Sequence, residues 1–212
     1  GKTRNSTEAT QRSKALISPC KKLMSITLMT NVKNNTVTWR IKNSVQSNRL
    51  YLIHYPDGMV YEPVLPVDGQ YLGYPVFDGE SVVLLVVNFT ESAIHILRFL
   101  HQQEKTQEVV RLPLSAVKDC YNLILHPSPL SLTRQPNDGT FEIIWPEQIR
   151  FAISSRETLN FRDGDKLYFS IWYEDPDYRE ETLVRSAQDG TILERFSGDI
   201  RIMPNRERWL IK

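Results

Sequence analysis

Between Trp172 and Glu181 the chain reads Trp-Tyr-Glu-Asp-Pro-Asp-Tyr-Arg-Glu-Glu, which places three aromatic rings beside five carboxylates. Two kinds of chemistry use such a segment. A sugar could stack a pyranose face on Trp172 or Tyr178 while carboxylates accept its hydroxyl hydrogens. A hard cation such as Ca²⁺ could collect carboxylate and carbonyl oxygens. The segment lacks the spaced acidic ladder and central glycine of an EF-hand loop, so no metal is assigned to it. The plainer reading is a hairpin whose charges keep a sheet edge soluble. Trp172, Glu174, Asp175, Asp177 and Tyr178 are therefore the candidate ligand-binding residues, with neither a catalytic residue nor a cofactor assigned.

Other catalytic signatures fail on spacing. His54, His95, His101 and His126 form no close metal pair. On a straight strand His95 and His101 would share a face but stand about 20 Å apart. Gly79-Glu80-Ser81 lacks the second glycine of a nucleophile elbow. Neither a G-x-x-x-x-G-K nor a G-x-G-x-x-G loop occurs. A glycosidase would need two carboxyl groups facing each other at about 5 or about 6.5–9.5 Å. Asp78, Glu142, Asp163 and Glu174 are the candidates, each more simply a turn or surface residue. Tyr51, Tyr55, Tyr61, Tyr71, Tyr74 and Phe77 could line a binding face, or cover a sheet face with the hydroxyls left wet.

The elements that must position these residues are strands. Apolar residues recur at period two or in short runs, separated by Asp57-Gly58, Asp68-Gly69, Asp78-Gly79, Asp138-Gly139, Asp163-Gly164 and Asp189-Gly190. Asp-Gly supplies the positive φ that hairpin turns require. Strands are expected at 36–42, 49–55, 59–65, 81–89, 93–101, 107–113, 121–126, 130–134, 140–145, 166–174, 181–186, 191–196 and 208–211. A helix over 93–103 is the weaker reading, and 114–119 suits one helical turn.

The strands fall into groups. The turn residues Asn35, Asp78, Asp119, Asp163 and Asn205 lie 43, 41, 44 and 42 apart. A period of 40–45 residues with about four strands suits a propeller blade. The expected fold is all-β: a small β-propeller-like array of four-stranded antiparallel sheets, about five blades. The last blade would be closed by pairing Leu23–Thr30 with Arg208–Ile211. A β-sandwich or an open stack of sheets is the alternative.

The 212 residues hold 26 basic and 25 acidic side chains, a net charge of +1, and 41% hydrophobic residues. Such a balance suits an ordinary globular domain and gives no general pull toward nucleic acid. The charge is uneven: residues 1–42 carry nine basic groups and one acidic. Residues 1–22 are read as a basic, flexible tail and 23–212 as one all-β domain. The longest aliphatic run, Val82 to Val87, is far short of the roughly 20 residues of a helical membrane span. The chain opens on Gly1 rather than Met, which suits an exported protein freed of its leader, secreted or periplasmic. Cys20 and Cys120 are read as unrelated thiols, at least one buried. Asn5, Asn34 and Asn88 match the glycosylation sequon by pattern alone.

The function expected is a non-catalytic binding domain for an unknown protein or glycan ligand. One alternative is a carbohydrate-active enzyme or glycan-binding protein that uses loop carboxylates and aromatics. Another is an envelope- or polyanion-associated protein that uses the basic tail.

Overall fold

The computed structural model describes residues 15–17, 23–28, 49–55, 57–174, 176–203 and 207–211, the first two stretches as backbone. Every strand pairing among them is antiparallel, and the strands form five successive sheets. The first sheet holds β1 (Ala15–Ile17), β2 (Leu23–Leu28), β3 (Arg49–His54) and β4 (Val60–Tyr61) in chain order. In the second, β5 (Gln70–Leu72), β7 (Val82–Asn88), β8 (Ala93–Leu100) and β9 (Lys105–Pro113) are adjacent, and β6 (Val76–Phe77) also pairs with β7.

The third sheet runs β10 (Leu123–Pro127), β11 (Leu130–Arg134), β12 (Thr140–Trp145) and β13 (Ile149–Ala152). The fourth runs β14 (Glu157–Asp163), β15 (Lys166–Tyr173), β16 (Arg179–Ser186) and β17 (Ile192–Ser197). The fifth is the pair β18 (Asp199–Ile202) and β19 (Arg208–Ile211). The helical reading of 93–103 gives way to strand β8 and a short 3-10 turn at His101–Gln103, and a second such turn covers Leu114–Ala116.

Why sheets follow one another is visible along β7. All seven of its residues are buried. Successive side chains point to opposite faces, so one strand serves two cores. Val82, Leu84 and Val86 join Leu50 and Leu52 of the first sheet. Val83, Leu85 and Val87 join Leu125, Leu132 and Ile144 of the third. The same division recurs on β15. Leu167, Phe169 and Ile171 meet Phe141 and Ile143 of the third sheet, while Tyr168 lies with Val184 and Ile200 toward the fifth. Each inner sheet is thus buried on both faces by the sheets before and after it.

The expected pairing of Leu23–Thr30 with Arg208–Ile211 is not seen among the described residues. Strand β2 already has β1 on one side and β3 on the other, with Leu28 opposite Arg49, so it keeps no free edge for the C-terminal strand. Strand β19 pairs with β18 instead, Trp209 opposite Arg201. Strand β1 also draws residues 15–17 of the expected tail into the first sheet.

The sheets follow one another along the chain, but the turn residues taken as markers of a repeat are not in phase with them. Asp78 precedes β7, inside the second sheet; Asp119 precedes β10, which opens the third; Asp163 is the last residue of β14, the first strand of the fourth. Asn35 and Asn205 lie outside the described residues, as does the expected strand 36–42. What Asp78 and Asp119 share is turn chemistry. Asp78 Oδ1 accepts the amides of Glu80 and Ser81, and Asp119 Oδ1 accepts that of Tyr121. An Asx turn of this kind can stand between any two strands.

Candidate functional site

The acidic aromatic segment is a hairpin end, as expected. Trp172 and Tyr173 close β15, and Arg179 and Glu180 open β16, paired as Tyr173 with Arg179 and Trp172 with Glu180. The structure brings Trp172 and Tyr178 together: their rings meet edge to face, 5.8 Å between centroids at 72°. Both are exposed, and Tyr178 donates its hydroxyl to Glu180 at 3.2 Å. Glu174 and Asp177 are exposed at the turn. Asp175 lies outside the described residues.

Tyr173 turns the other way, onto the rim of the core shared with the third sheet. Arg179 stands 4.1 Å and Arg156 5.1 Å from its ring centroid. The Arg195 guanidinium is held above its ordinary value, first by its hydrogen bond with Tyr173 and then by Glu181.

Three of the four carboxylates considered for glycoside chemistry are engaged with separate arginines, and the fourth, Glu174, is exposed. Asp78 pairs with Arg98 at 2.6 Å, Asp163 with Arg208 at 2.6 Å, and Glu142 with the buried Arg134 at 2.9 Å. No cluster of three or more His, Cys, Asp or Glu suited to a metal occurs among the described residues. The histidines also have local partners. His95 bonds Glu108 at 2.7 Å, and His54 bonds Asp57 at 2.8 Å and stacks on His101 with ring centroids 5.6 Å apart. Asn88, the one described sequon asparagine, is buried and accepts the Glu91 amide at 2.9 Å. Asn5 and Asn34 lie outside the described residues.

A concave feature among the described residues lies elsewhere, at a position the sequence analysis does not single out. A pocket of about 370 Å³ opens where the second sheet meets the third. Tyr71 and Leu72 of β5 line it with Gly73, Leu85 and Val87 of β7 with Phe89, and Cys120 with Leu123 of β10. Gly73 shapes the floor. Its amide donates to the Leu85 carbonyl at 2.8 Å, and a Cβ there would meet Leu85 Cδ2 at 2.9 Å.

Tyr71 and Phe89 pack edge to face at 6.1 Å and remain 45% and 43% exposed at the mouth. Cys120 carries a free thiol. Burial, and then the neighbouring Asp119, push its pKa up, so it is protonated and poorly nucleophilic at neutral pH. Cys20 lies outside the described residues. The lining is thus hydrocarbon apart from a thiol, the Tyr71 hydroxyl and backbone.

Of these residues only Tyr71 had been considered for a binding face. A lone glycine between two short apolar pairs, Tyr71-Leu72 and Val76-Phe77, was the available signal, because glycine inside a strand pattern marks close backbone approach.

No helix among the described residues is long and apolar enough to cross a membrane. Comparison with protein-family models and with curated proteins finds no match. Among solved structures the chain is similar to Porphyromonas gingivalis dipeptidyl peptidase 4, with 12% identity and a TM-score of 0.46 over 89% of this chain and 32% of that one. It is also similar to a putative dipeptidyl aminopeptidase IV from Bacteroides ovatus, with 9% identity and a TM-score of 0.49 over 91% of this chain and 35% of that one. The chain spans about a third of the length of these structures, and the likeness reaches no further than the arrangement of strands.

Proposed function

We propose that this chain is a binding module whose pocket between the second and third sheets receives an apolar side chain or a small apolar ligand. The carrying observation is the lining: aliphatic and aromatic side chains around about 370 Å³, with Tyr71 and Phe89 half exposed at the mouth. That volume lies at the small end of the range for ligand pockets, about 300–1,000 Å³. Tyr74 and Tyr121, next in sequence to the lining residues Gly73 and Cys120, are 60% and 56% exposed. Tyrosines around an apolar socket favour a protein partner, because each ring buries area while its hydroxyl stays hydrated.

The finer fold reading, a propeller-like array, belongs to the same proposal. Its support is the packing of β7 and β15, whose alternate residues serve the sheets on either side. An open stack of sheets uses that packing equally well.

Ligand-observed NMR with N-acetyl-phenylalanine amide, N-acetyl-leucine amide and indole tests the pocket. Saturable binding is expected for at least one of them. Cys120→Phe should abolish it, by pushing a ring into the cavity, while the circular dichroism spectrum stays that of the parent. Absence of saturable binding by all three, or binding unaffected by Cys120→Phe, would overturn the reading.

A further inference from the structure

Alternation along β15 sends Trp172 and Tyr173 to opposite faces of the fourth sheet, and the two faces hold different charges. The Tyr173 ring already has Arg179 and Arg156 over it. The rings of Trp172 and Tyr178 have no described arginine or lysine in that position: the other rings so occupied are Phe151 and Tyr168. Trp172 is 43% and Tyr178 67% exposed, and the pair stands nearly at right angles. Beside them lies Glu180, opposite Trp172 in the ladder and accepting the Tyr178 hydroxyl. Arg201 of β18 is paired with Asp199 at 2.6 Å, and its charge also reaches Glu180 and Tyr178.

Two open ring faces meeting at a corner, with a carboxylate at its edge, suit an organic cation. The geometry points to the ammonium group of a lysine side chain on a protein partner: we propose that the corner formed by Trp172, Tyr178 and Glu180 binds it. A primary ammonium donates hydrogen bonds to Glu180 while its methylene stem lies along the indole. A quaternary ammonium has no hydrogen to donate to that carboxylate. A planar guanidinium stacks best on one parallel face, whereas two rings nearly at right angles suit a compact charge. This corner is on the fourth sheet and does not depend on the apolar pocket.

The test uses the full chain labelled with ¹⁵N. The Trp172 indole N–H resonance is identified by its loss in Trp172→Phe. N-acetyl-lysine amide, its neutral isostere N-acetyl-norleucine amide, choline and methyl β-glucoside are then titrated separately. The lysine derivative should shift the Trp172 resonance saturably, with an affinity at least about tenfold above that of norleucine, as expected for a cation on two rings beside a carboxylate. Glu180→Gln should weaken it several-fold and leaves the rings in place, so it carries the comparison if Trp172→Phe folds poorly. Equal shifts with norleucine, a preference for choline or for the glucoside, or no saturable shift with lysine would each overturn the proposal. None of these results bears on indole or phenylalanine binding at Cys120, so the two sites fail separately.

Discussion

His126 shows how burial of one side chain sets a pH dependence. Its Nε2 shares a 2.9 Å hydrogen bond with the Thr133 hydroxyl, and burial pushes its pKa down from 6.5 to about 4. The unfolded chain takes up a proton near the ordinary value, whereas the folded chain refuses it until about pH 4. Protons therefore favour unfolding throughout that interval. The contribution of the neutral ring is intact above pH 6.5 and is lost as the pH falls toward 4, by on the order of 3 kcal/mol.

The carboxylates act in a lower window. Burial works to raise Asp78, but the amides of Ser81 and Glu80 and the Arg98 guanidinium outweigh it and hold the carboxyl below its usual range. Its contribution, present above the unfolded carboxylate value, is lost only as the pH drops below about 4. Urea unfolding at pH 7 and pH 5 should therefore show a loss of stability in the parent that His126→Gln largely removes. An unchanged pH response in the variant would mean that another group titrates there.

At the scale of elements, the first strand of the fourth sheet is held by side chains that imitate backbone. The Gln135 amide donates to the Glu157 carbonyl at 2.5 Å and its oxygen accepts the Leu159 amide at 3.3 Å, so it occupies the free edge of β14 much as a neighbouring strand would. Glu157 itself is buried and is clasped by Arg185 through two bonds, at 2.8 and 2.9 Å. Arg162 adds a forked pair to Glu147, both bonds 3.1 Å, between β14 and the turn after β12.

Gln135→Leu leaves a half-buried amide and carbonyl without their partner and should cost about 1 kcal/mol. Faster exchange of the Leu159 amide hydrogen, with β16 unaffected, is the accompanying signature. Stability and exchange both equal to the parent would show that water replaces the glutamine. The geometry of β14 also explains why it was not read from the chain. A bulge between Leu159 and Phe161 sends these two apolar side chains to different cores, and the buried position before them is the carboxylate Glu157, so no period-two apolar pattern marks the strand.

The whole molecule is a succession in which each sheet is stabilised by its neighbours. Among the described residues, four apolar cores lie at the junctions between consecutive sheets. Phe169 is fully buried at the third junction, edge to face on Phe141 at 5.2 Å. Phe169→Ala should cost about 3–5 kcal/mol. Because contacts are nearest-neighbour, hydrogen exchange should rise most in the third and fourth sheets and least in the first. Uniform acceleration across all five sheets would show that the stack unfolds as one unit.

Local information in the chain determined the strand class and most of the hairpins. Period-two patterning and Asp-Gly turns act over a few residues, so β3, β7, β8, β11, β12 and β16 could be read to within about two residues. The exposed pair Trp172 and Tyr178 was legible for the same reason, because one hairpin carries both. Short or charged strands, β5, β6, β14 and β18, were not, since partners from other sheets supply what their own sequences lack. Tertiary structure alone decided that β2 spends both edges inside the first sheet, that β19 pairs with β18, and that Tyr71, Phe89 and Cys120 meet around a pocket. Those outcomes depend on which edges and faces remain free after packing, and residues 49 positions apart in the chain, such as Tyr71 and Cys120, carry no mark of it in their local pattern.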